Sequence, residues 1–526
     1  MSTICIILQH ILIFFRLILD KVIDFMFSFY WDDKKHLIPD VDKDHSFLGQ
    51  SATTLARRIK DKDLKSEDLV RAFIERIKQV NPMLNAVAEE RYEAALKEAK
   101  EIDEAIAAGL TEDLANKPFL GVPFTTKECQ AMKGMFLTLG LWCRRNEKAT
   151  EDSEAIVRMK AAGAIPIAST NLPEMLIWQE TRNPVYGQTN NPHHTGRSPG
   201  GSSGAEAALM ATYATPISLC SDIGGSTRIP AFYCGMFGHL ATAGTTNTRG
   251  VLFRKGDEES MLALGFVAKH VEDLSPLTRV IVGDKAKGMK LDRQKDLKDI
   301  NFYYLEDSND LLVSPLRSEM KNALNSVIST IRQASSTELA PKPYSHEGFN
   351  HMYRLWKHWM YQEPEATGLE DHLLTNGRGE FNAYVELAKK VVGASKYCLF
   401  TIVRKLEDVL IPKPNPEWAE DLTKKMKEDL FSKLGDNGVL LMPSAPHAAP
   451  FHYSCLLRPY NFAYFAIVNV LKCPATQVPI GTNGQGLPIG IQVLAAPHND
   501  DLCLTVAKYL EEKFSGAIMA CKIKQH

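Results

Sequence analysis

Short apolar runs alternate with amphipathic stretches along most of this 526-residue chain. Apolar residues recur every three or four positions over residues 66–80 and 89–108, a spacing that is typical of helices with one buried face. Continuous apolar runs, which are typical of buried strands, occupy residues 119–124, 164–168, 215–219, 439–442 and 489–494. This alternation predicts an α/β fold in which a large mixed, mostly parallel sheet is covered by helices on both faces.

The N-terminal segment departs from this pattern. Residues 4–19 are apolar except at three positions, and an aromatic cluster over residues 25–31 precedes a charged stretch. A spanning helix needs about 20 mostly apolar residues, so the first run is of borderline length. No small-residue cleavage site follows, which argues against a removed signal peptide. We expect residues 1–40 to form a single anchor, spanning or in-plane, at an internal membrane; a buried or tag-like helix is the alternative.

Composition excludes several classes of function. The net charge of −2 provides no basic surface for nucleic acid. Ten cysteines are scattered without a C-x-x-C pair, which argues against a zinc ribbon or a redox motif. The adjacent His193 and His194 have no third ligand at metal-site spacing. We therefore expect no metal, no cofactor and no nucleic-acid partner, and we expect residues 41–526 to form one large domain.

Three short segments contain the residues best suited to chemistry. Lys127 directly follows an apolar strand, and Ser202 and Ser226 lie among glycines, where backbone N–H groups can approach a ligand closely. A neutral serine is a weak nucleophile, and a lysine can activate it when burial disfavours the ammonium form. Ser202 is available to relay a proton between the two. The consecutive N–H groups of residues 223–226 are suited to bind a developing oxyanion.

Each segment also has an ordinary interpretation. A single lysine is usually a surface residue, and serines beside glycines are usually turn residues. Neither glycine-serine loop has the lysine position of a phosphate-binding loop. Residues 200–204 fit the G-x-S-x-G pattern of α/β-hydrolases, but the preceding ten residues are polar and contain two prolines, so no buried strand leads into them. Asp222 and Arg228 flank Ser226, and we interpret them as a structural ion pair.

Taken together and in this order, the three segments resemble the Ser-Ser-Lys triad of the amidase signature family, and the resemblance extends over residues 47–520. Within that family the chain is most similar to type 2 fatty-acid amide hydrolases. The stretches that carry this similarity are residues 119–123, 187–192, 458–464 and 486–493. The resemblance implies that Ser226 is the acylated nucleophile, Lys127 the base and acid, and Ser202 a proton shuttle that follows a cis peptide bond.

The same resemblance implies further residues and a substrate. The oxyanion donors would be the N–H groups of Ile223, Gly224, Gly225 and Ser226. Leu176, Ile177 and Trp178 would line an acyl pocket, although a role in the core is an equal alternative. Two departures are visible: Ala205 replaces a glycine that is usual in the family, and residues 238–242 lack the usual lysine-proline pair.

The central segment, residues 301–428, is predicted to be mainly helical. Within it residues 391–403 are unusually apolar, which predicts a core-facing helix; a membrane-docking cap or the wall of an acyl channel is the alternative. We expect an enzyme that hydrolyses long-chain fatty-acid amides at a membrane and that is able to form a homodimer. The alternatives are an amidase for small amides, one component of an amidotransferase, and a catalytically weak membrane scaffold of the same fold.

Overall fold

The computed structural model describes residues 3–251, 254–256, 260–293, 295–334, 340–363 and 366–525. The helices are α1 (Thr3–Trp31), α2 (Ala52–Lys60), α3 (Ser66–Leu84), α4 (Tyr92–Ala108), α5 (Glu112–Asn116), α6 (Glu154–Ala161), α7 (Gly204–Met210), α8 (Arg228–Cys234), α9 (Leu274–Val282), α10 (Ser318–Ala334), α11 (Met352–Tyr361), α12 (Ala366–Thr375), α13 (Ala383–Val391), α14 (Leu399–Leu410), α15 (Pro416–Leu434), α16 (Ala463–Leu471) and α17 (Asp500–Phe514).

The strands are β1 (Val87–Glu90), β2 (Pro123–Lys127), β3 (Ile165–Thr170), β4 (Arg182–Asn183), β5 (Gly187–Gln188), β6 (Ser218–Asp222), β7 (Phe237–Leu240), β8 (Ala263–Ala268), β9 (Asn301–Tyr304), β10 (Lys342–Pro343), β11 (Gly438–Pro443), β12 (Ala475–Thr482) and β13 (Pro488–Ala495). Short β4 and β5 form a separate hairpin, and the others form one sheet of eleven strands.

The large sheet has the strand order β1-β3-β2-β6-β8-β7-β12-β13-β11-β9-β10. Strands β3, β2 and β6 are parallel to one another, as are β11, β9 and β10. The strands between these groups pair antiparallel. No helix separates β7 from β8 or β12 from β13 in the described chain, so these strands return alongside each other in the opposite direction.

Both faces of the sheet are covered by apolar packing. Along β11, Val439 and Leu441 join one buried cluster, whereas Leu440 and Met442 join the other. Alternate side chains of a strand point to opposite faces, so this pattern places a hydrophobic core on each side. The predicted α/β fold with a large mixed sheet between layers of helices is therefore confirmed.

The local predictions differ from the structure mainly at their ends. Strand β2 begins four residues after the start of the apolar run and extends to Lys127, and β6 likewise extends to Asp222. Helix α3 continues through Pro82 to Leu84 instead of ending before Asn81. The last residues of β2 and β6 are polar although they are buried. Hydropathy alone therefore did not predict that the two strands include them.

The N-terminal helix α1 packs against the rest of the molecule through its second half. Ile23 is buried, and Asp24 accepts hydrogen bonds from Arg317 at 2.5 Å and Arg458 at 2.7 Å. Trp31 stacks on Tyr453 at the end of the helix. Among the residues that the structure describes, no helix combines the length and apolarity needed to cross a membrane.

The central segment is mainly helical, as predicted, and contains α10 to α15 together with the short strands β9 and β10. The prediction of a single core-facing helix over residues 391–403 is wrong. Helix α13 ends at Val391, a turn follows, and α14 begins at Leu399. Val391 and Val392 are about four-fifths exposed, because they lie at this turn on the surface.

Candidate active site

Lys127, the last residue of β2, is fully buried and is surrounded by hydroxyl groups. Its Nζ donates to Ser202 Oγ at 2.6 Å, Ser203 Oγ at 3.1 Å and Ser221 Oγ at 3.2 Å. No carboxylate of the described residues lies within ion-pair distance of this amine. A buried amine whose partners are hydroxyls is placed to exchange protons with them.

Ser202 lies in the loop that leads into α7. The peptide bond between Gly201 and Ser202 is cis, as the resemblance implied. A Cβ atom on Gly201 would lie 2.2 Å from the carbonyl oxygen of Trp178, so only glycine fits there. Ala205 is buried in the first turn of α7. The backbone at this position is helical and does not need a glycine.

Ser226 lies in the loop between β6 and α8, which is fixed by a buried ion pair. Arg228 donates to both carboxylate oxygens of Asp222, each at 3.1 Å, and Asn469 donates to the same carboxylate at 3.0 Å. Although burial alone would raise the pKa of the Asp222 carboxyl, Arg228 and these hydrogen bonds lower it below its ordinary value. The predicted structural ion pair is confirmed.

Three residues of the Ser226 loop, Ile223, Gly224 and Ser226, line a cavity, whereas Gly225 does not. Gly225 N–H donates to Asp222 Oδ1 at 2.7 Å, so it is not available to a ligand. The expectation that Gly225 donates into the site is therefore not met, because this N–H group binds the ion pair. Within the described structure no hydrogen bond uses the N–H of Ile223, Gly224 or Ser226. Ser226 is partly exposed, and its hydroxyl has no hydrogen-bond partner among the residues that the structure describes.

Ser226 lines a cavity that is partly open to solvent and encloses about 660 Å³, a volume that includes the open space at its mouth. Leu176, Ile177 and Trp178 all lie in its wall, together with Gly201 and Gly224. The rest of the lining comprises Gln179, Ile223, Ile229, Tyr353, Trp356, Met360, Phe400, Arg404, Glu407, Pro459, Tyr460 and Phe462. Apolar and aromatic side chains predominate.

Much of this wall was not identified from the sequence. Trp356 and Met360 come from α11, and Phe400 comes from α14. The ring of Phe400 stacks on Trp178 with 3.6 Å between centroids. These residues lie more than 120 positions from Ser226 in the chain and belong to no motif. The only signal was the unusual apolarity of residues 391–403, and its alternative interpretation as a channel wall matches the position of Phe400.

Two buried carboxyl groups lie near the site. Burial raises the pKa of Glu206, on α7, to about 7, although the nearby Lys127 lowers it. Burial likewise raises the pKa of Glu174 to about 7, against hydrogen bonds that lower it. Glu174 Oε2 accepts from Thr401 Oγ1 at 2.5 Å and from Cys398 N at 2.8 Å, and so it holds the start of α14.

The remaining candidates lie outside the cavity wall. His193 Nε2 lies 3.0 Å from the carbonyl oxygen of Cys234, and His194 Nδ1 accepts from Gly196 N. Burial lowers the pKa of both histidines to about 4. In the unusual segment 238–242, His239 pairs with Thr476, and Thr242 with Asp500. These groups stabilise the fold around the sheet.

Comparison with known proteins gives a consistent result. The family model described as Amidase matches residues 68–504. The chain is 37% identical over 480 residues to human fatty-acid amide hydrolase 2, covering 89% of each chain. It is 34% identical over 480 residues to fatty-acid amide hydrolase 2-A of Danio rerio, again covering 89% of each chain.

Among solved structures, a fatty acid amide hydrolase superposes with a TM-score of 0.73 at 19% identity, covering 90% of this chain and 87% of that chain. A 6-aminohexanoate cyclic dimer hydrolase superposes with a TM-score of 0.69 at 22% identity, covering 89% and 97%. At such identities these structures support the fold alone. The family match over most of the chain, with relatives above 30% identity, establishes that the protein belongs to the amidase signature family and is an amide hydrolase.

Proposed function

We propose that this protein hydrolyses long-chain fatty-acid amides to a fatty acid and an amine through an acyl-enzyme on Ser226. The observation that carries the proposal is the 2.6 Å contact between buried Lys127 Nζ and Ser202 Oγ, next to a mainly apolar cavity lined by Ser226, whose hydroxyl has no hydrogen-bond partner among the described residues. The 37% identity to a fatty-acid amide hydrolase 2 supports the substrate class.

In the proposed reaction, Ser226 Oγ attacks the amide carbonyl carbon and its proton passes through Ser202 to neutral Lys127. The carbonyl oxygen becomes an oxyanion, which in this proposal the N–H groups of Ile223, Gly224 and Ser226 stabilise. The intermediate then expels the amine, which takes the proton back from Lys127 through Ser202. Water next attacks the acyl carbon while its proton passes through Ser202 to Lys127. The second tetrahedral intermediate then releases the fatty acid, and the same proton returns through Ser202 to Ser226 Oγ.

The cavity supports a long acyl chain over a small substrate. Its wall includes Leu176, Ile177, Trp178 and Ile229, which are apolar or aromatic. Each CH₂ group that is buried against such a wall contributes about 0.8 kcal/mol to the free energy of binding. We expect kcat/KM to increase with acyl chain length in a series of amides that share one amine. A preference for acetamide or glutamine would favour the alternatives of a small-amide hydrolase or an amidotransferase component.

A fluorophosphonate probe, which reacts with activated serines, tests the assignment of the nucleophile. We expect mass spectrometry to place the adduct on Ser226, and we expect Ser226→Ala to abolish it. Ser203→Ala is a matched control, because Ser203 also contacts Lys127 yet has no proposed covalent role. An adduct on Ser202 with Ser226 unmodified would contradict the proposed mechanism.

We also propose that α1 lies in the plane of a membrane, as part of an N-terminal segment that comprises residues 1–40. One side of α1 carries Ile23 and Asp24, which pack against the domain. The other side exposes apolar residues at helical spacing. They are Phe15, Ile18, Leu19, Val22, Phe25, Met26 and Phe29. An exposed apolar face of this length is typical of a helix that inserts into a lipid interface.

Flotation with phosphatidylcholine vesicles tests this placement. We expect Phe25→Glu combined with Phe29→Glu to move the protein out of the vesicle fraction while activity on a water-soluble amide is retained. Val157→Glu is a control, because it places a glutamate at an exposed apolar residue outside α1. Equal flotation of wild type and the double variant would contradict the proposal. Sedimentation of the detergent-solubilised protein checks the predicted homodimer.

A further inference from the structure

Trp356 is the only residue of α11 among the described ones whose side chain donates a hydrogen bond to the Ser226 loop. Its indole Nε1–H donates to the carbonyl oxygen of Ile223 at 2.9 Å. The indole also covers Gly224, where a Cβ atom would lie 3.0 Å from Nε1. This contact joins a central helix to a loop that lies more than 120 residues away in sequence.

The hydrogen bond has a geometric consequence for the neighbouring N–H group. The carbonyl of Ile223 and the N–H of Gly224 belong to one trans peptide unit, in which the two groups point in opposite directions. A fixed carbonyl therefore fixes the direction of the Gly224 N–H. That N–H group has no acceptor among the described residues, and Gly224 lines the cavity beside Ser226.

The other side of the loop is fixed as well. Gly225 N–H donates to Asp222, and a Cβ atom on Gly225 would lie 2.4 Å from Phe465 Cβ. Trp356 itself is almost fully buried and packs edge-on against Phe462, with 4.9 Å between ring centroids. The ion pair does not hold the Ile223–Gly224 peptide directly, and Trp356 holds it.

We propose that Trp356 is a positioning residue, which orients the Ile223–Gly224 peptide so that the Gly224 N–H points at the developing oxyanion. This inference rests on the proposed function, since it assumes that Ser226 is acylated. Loss of the indole N–H leaves the peptide free to tilt. The contact to the oxyanion in the transition state then weakens, whereas the apolar contacts of the other wall residues with the substrate stay.

Trp356→Phe tests the inference, because it removes the N–H and keeps an aromatic ring. Removing one oxyanion donor typically costs a factor of about 10² to 10³ in kcat. Since here the donor is displaced and not deleted, we expect kcat to fall about 10-fold to 100-fold with KM changed less than about twofold. A trifluoromethyl ketone, which forms a tetrahedral adduct, should lose affinity by a similar factor, and the product fatty acid should not.

Trp359→Phe is the matched control, because Trp359 lies on the same helix and donates to Thr423 Oγ1 at 3.0 Å outside the cavity. We expect its kinetic constants to equal those of wild type. Should Trp356→Phe not fold, Trp356→Met removes the same donor and should show the same loss of kcat. Circular dichroism checks the fold of each variant.

The outcomes separate this inference from the proposed function. If wild type forms no adduct on Ser226, the proposed function fails and the inference with it. If wild type forms the adduct and Trp356→Phe retains full kcat, only the inference is overturned. A rise in KM alone would also overturn it, since Trp356 would then serve only as cavity wall.

Discussion

Glu174→Gln should remove a loss of folding stability that the wild type shows as the pH rises. Glu174 is buried beside the cavity, and burial raises the pKa of its carboxyl from 4.5 to about 7. Between these values the unfolded chain releases the proton while the folded protein retains it. Folding therefore becomes less favourable as the pH rises from 4.5, and the full cost is present above pH 7.

The size of the effect follows from the two pKa values. One pKa unit corresponds to about 1.4 kcal/mol, so a change from 4.5 to about 7 amounts to about 3 kcal/mol at high pH. Most of this cost accumulates between pH 5 and pH 8. Glutamine has no proton to lose and keeps an oxygen that can accept from Thr401 Oγ1 and Cys398 N. The variant should therefore gain about 2–3 kcal/mol relative to wild type over this interval.

Urea unfolding at pH 5 and pH 8, followed by tryptophan fluorescence, provides the measurement. Asp222→Asn serves as control. Arg228 lowers the pKa of the buried Asp222 carboxyl, so this carboxyl is ionised in both the folded and the unfolded wild type over this pH interval. Its loss of stability should be the same at both pH values. If the difference between wild type and Glu174→Gln did not change with pH, the assignment of a raised pKa to Glu174 would be wrong.

Three further results are expected. Lys127→Ala should lower kcat/KM for amides more than 100-fold in a folded protein, because general acid–base help is typically worth at least that factor; a loss below tenfold would exclude Lys127 as the base. Asp222→Asn should destabilise the fold by roughly 3–5 kcal/mol, because Arg228 stays charged and buried; unchanged thermal unfolding would contradict this. Asp24→Asn should weaken the docking of α1 and speed tryptic cleavage at Arg16 and Lys21, and cleavage at the wild-type rate would refute it.

The residues that the structure brings to one place were largely predictable where a local motif marks them. Lys127, Ser202 and the Ser226 loop lie at the ends of β2 and β6 and at the start of α7. Glycine and serine patterns report on backbone requirements within a few residues, and the ends of neighbouring parallel strands meet at one edge of a sheet. Such short-range signals were sufficient to identify these three segments.

The cavity wall and the hydrogen bonds of the loop required tertiary information. Trp356 and Phe400 reach Gly224 and Trp178 from helices that are distant in sequence, and their hydropathy resembles that of any core residue. The role of Gly225 could not be predicted either. Its N–H group was expected to donate to a ligand, and only the fold shows that it donates to the Asp222 carboxylate.

The contact between Asp24 and Arg458 also has a consequence for how a substrate reaches the enzyme. Arg458 directly precedes Pro459 and Tyr460, which line the cavity, so the rotation of α1 about its axis and the direction of the cavity mouth are coupled. A surface that holds the apolar side of α1 would thereby fix the direction in which the mouth faces. A ligand on that surface would then reach the cavity mouth by diffusion in two dimensions instead of three.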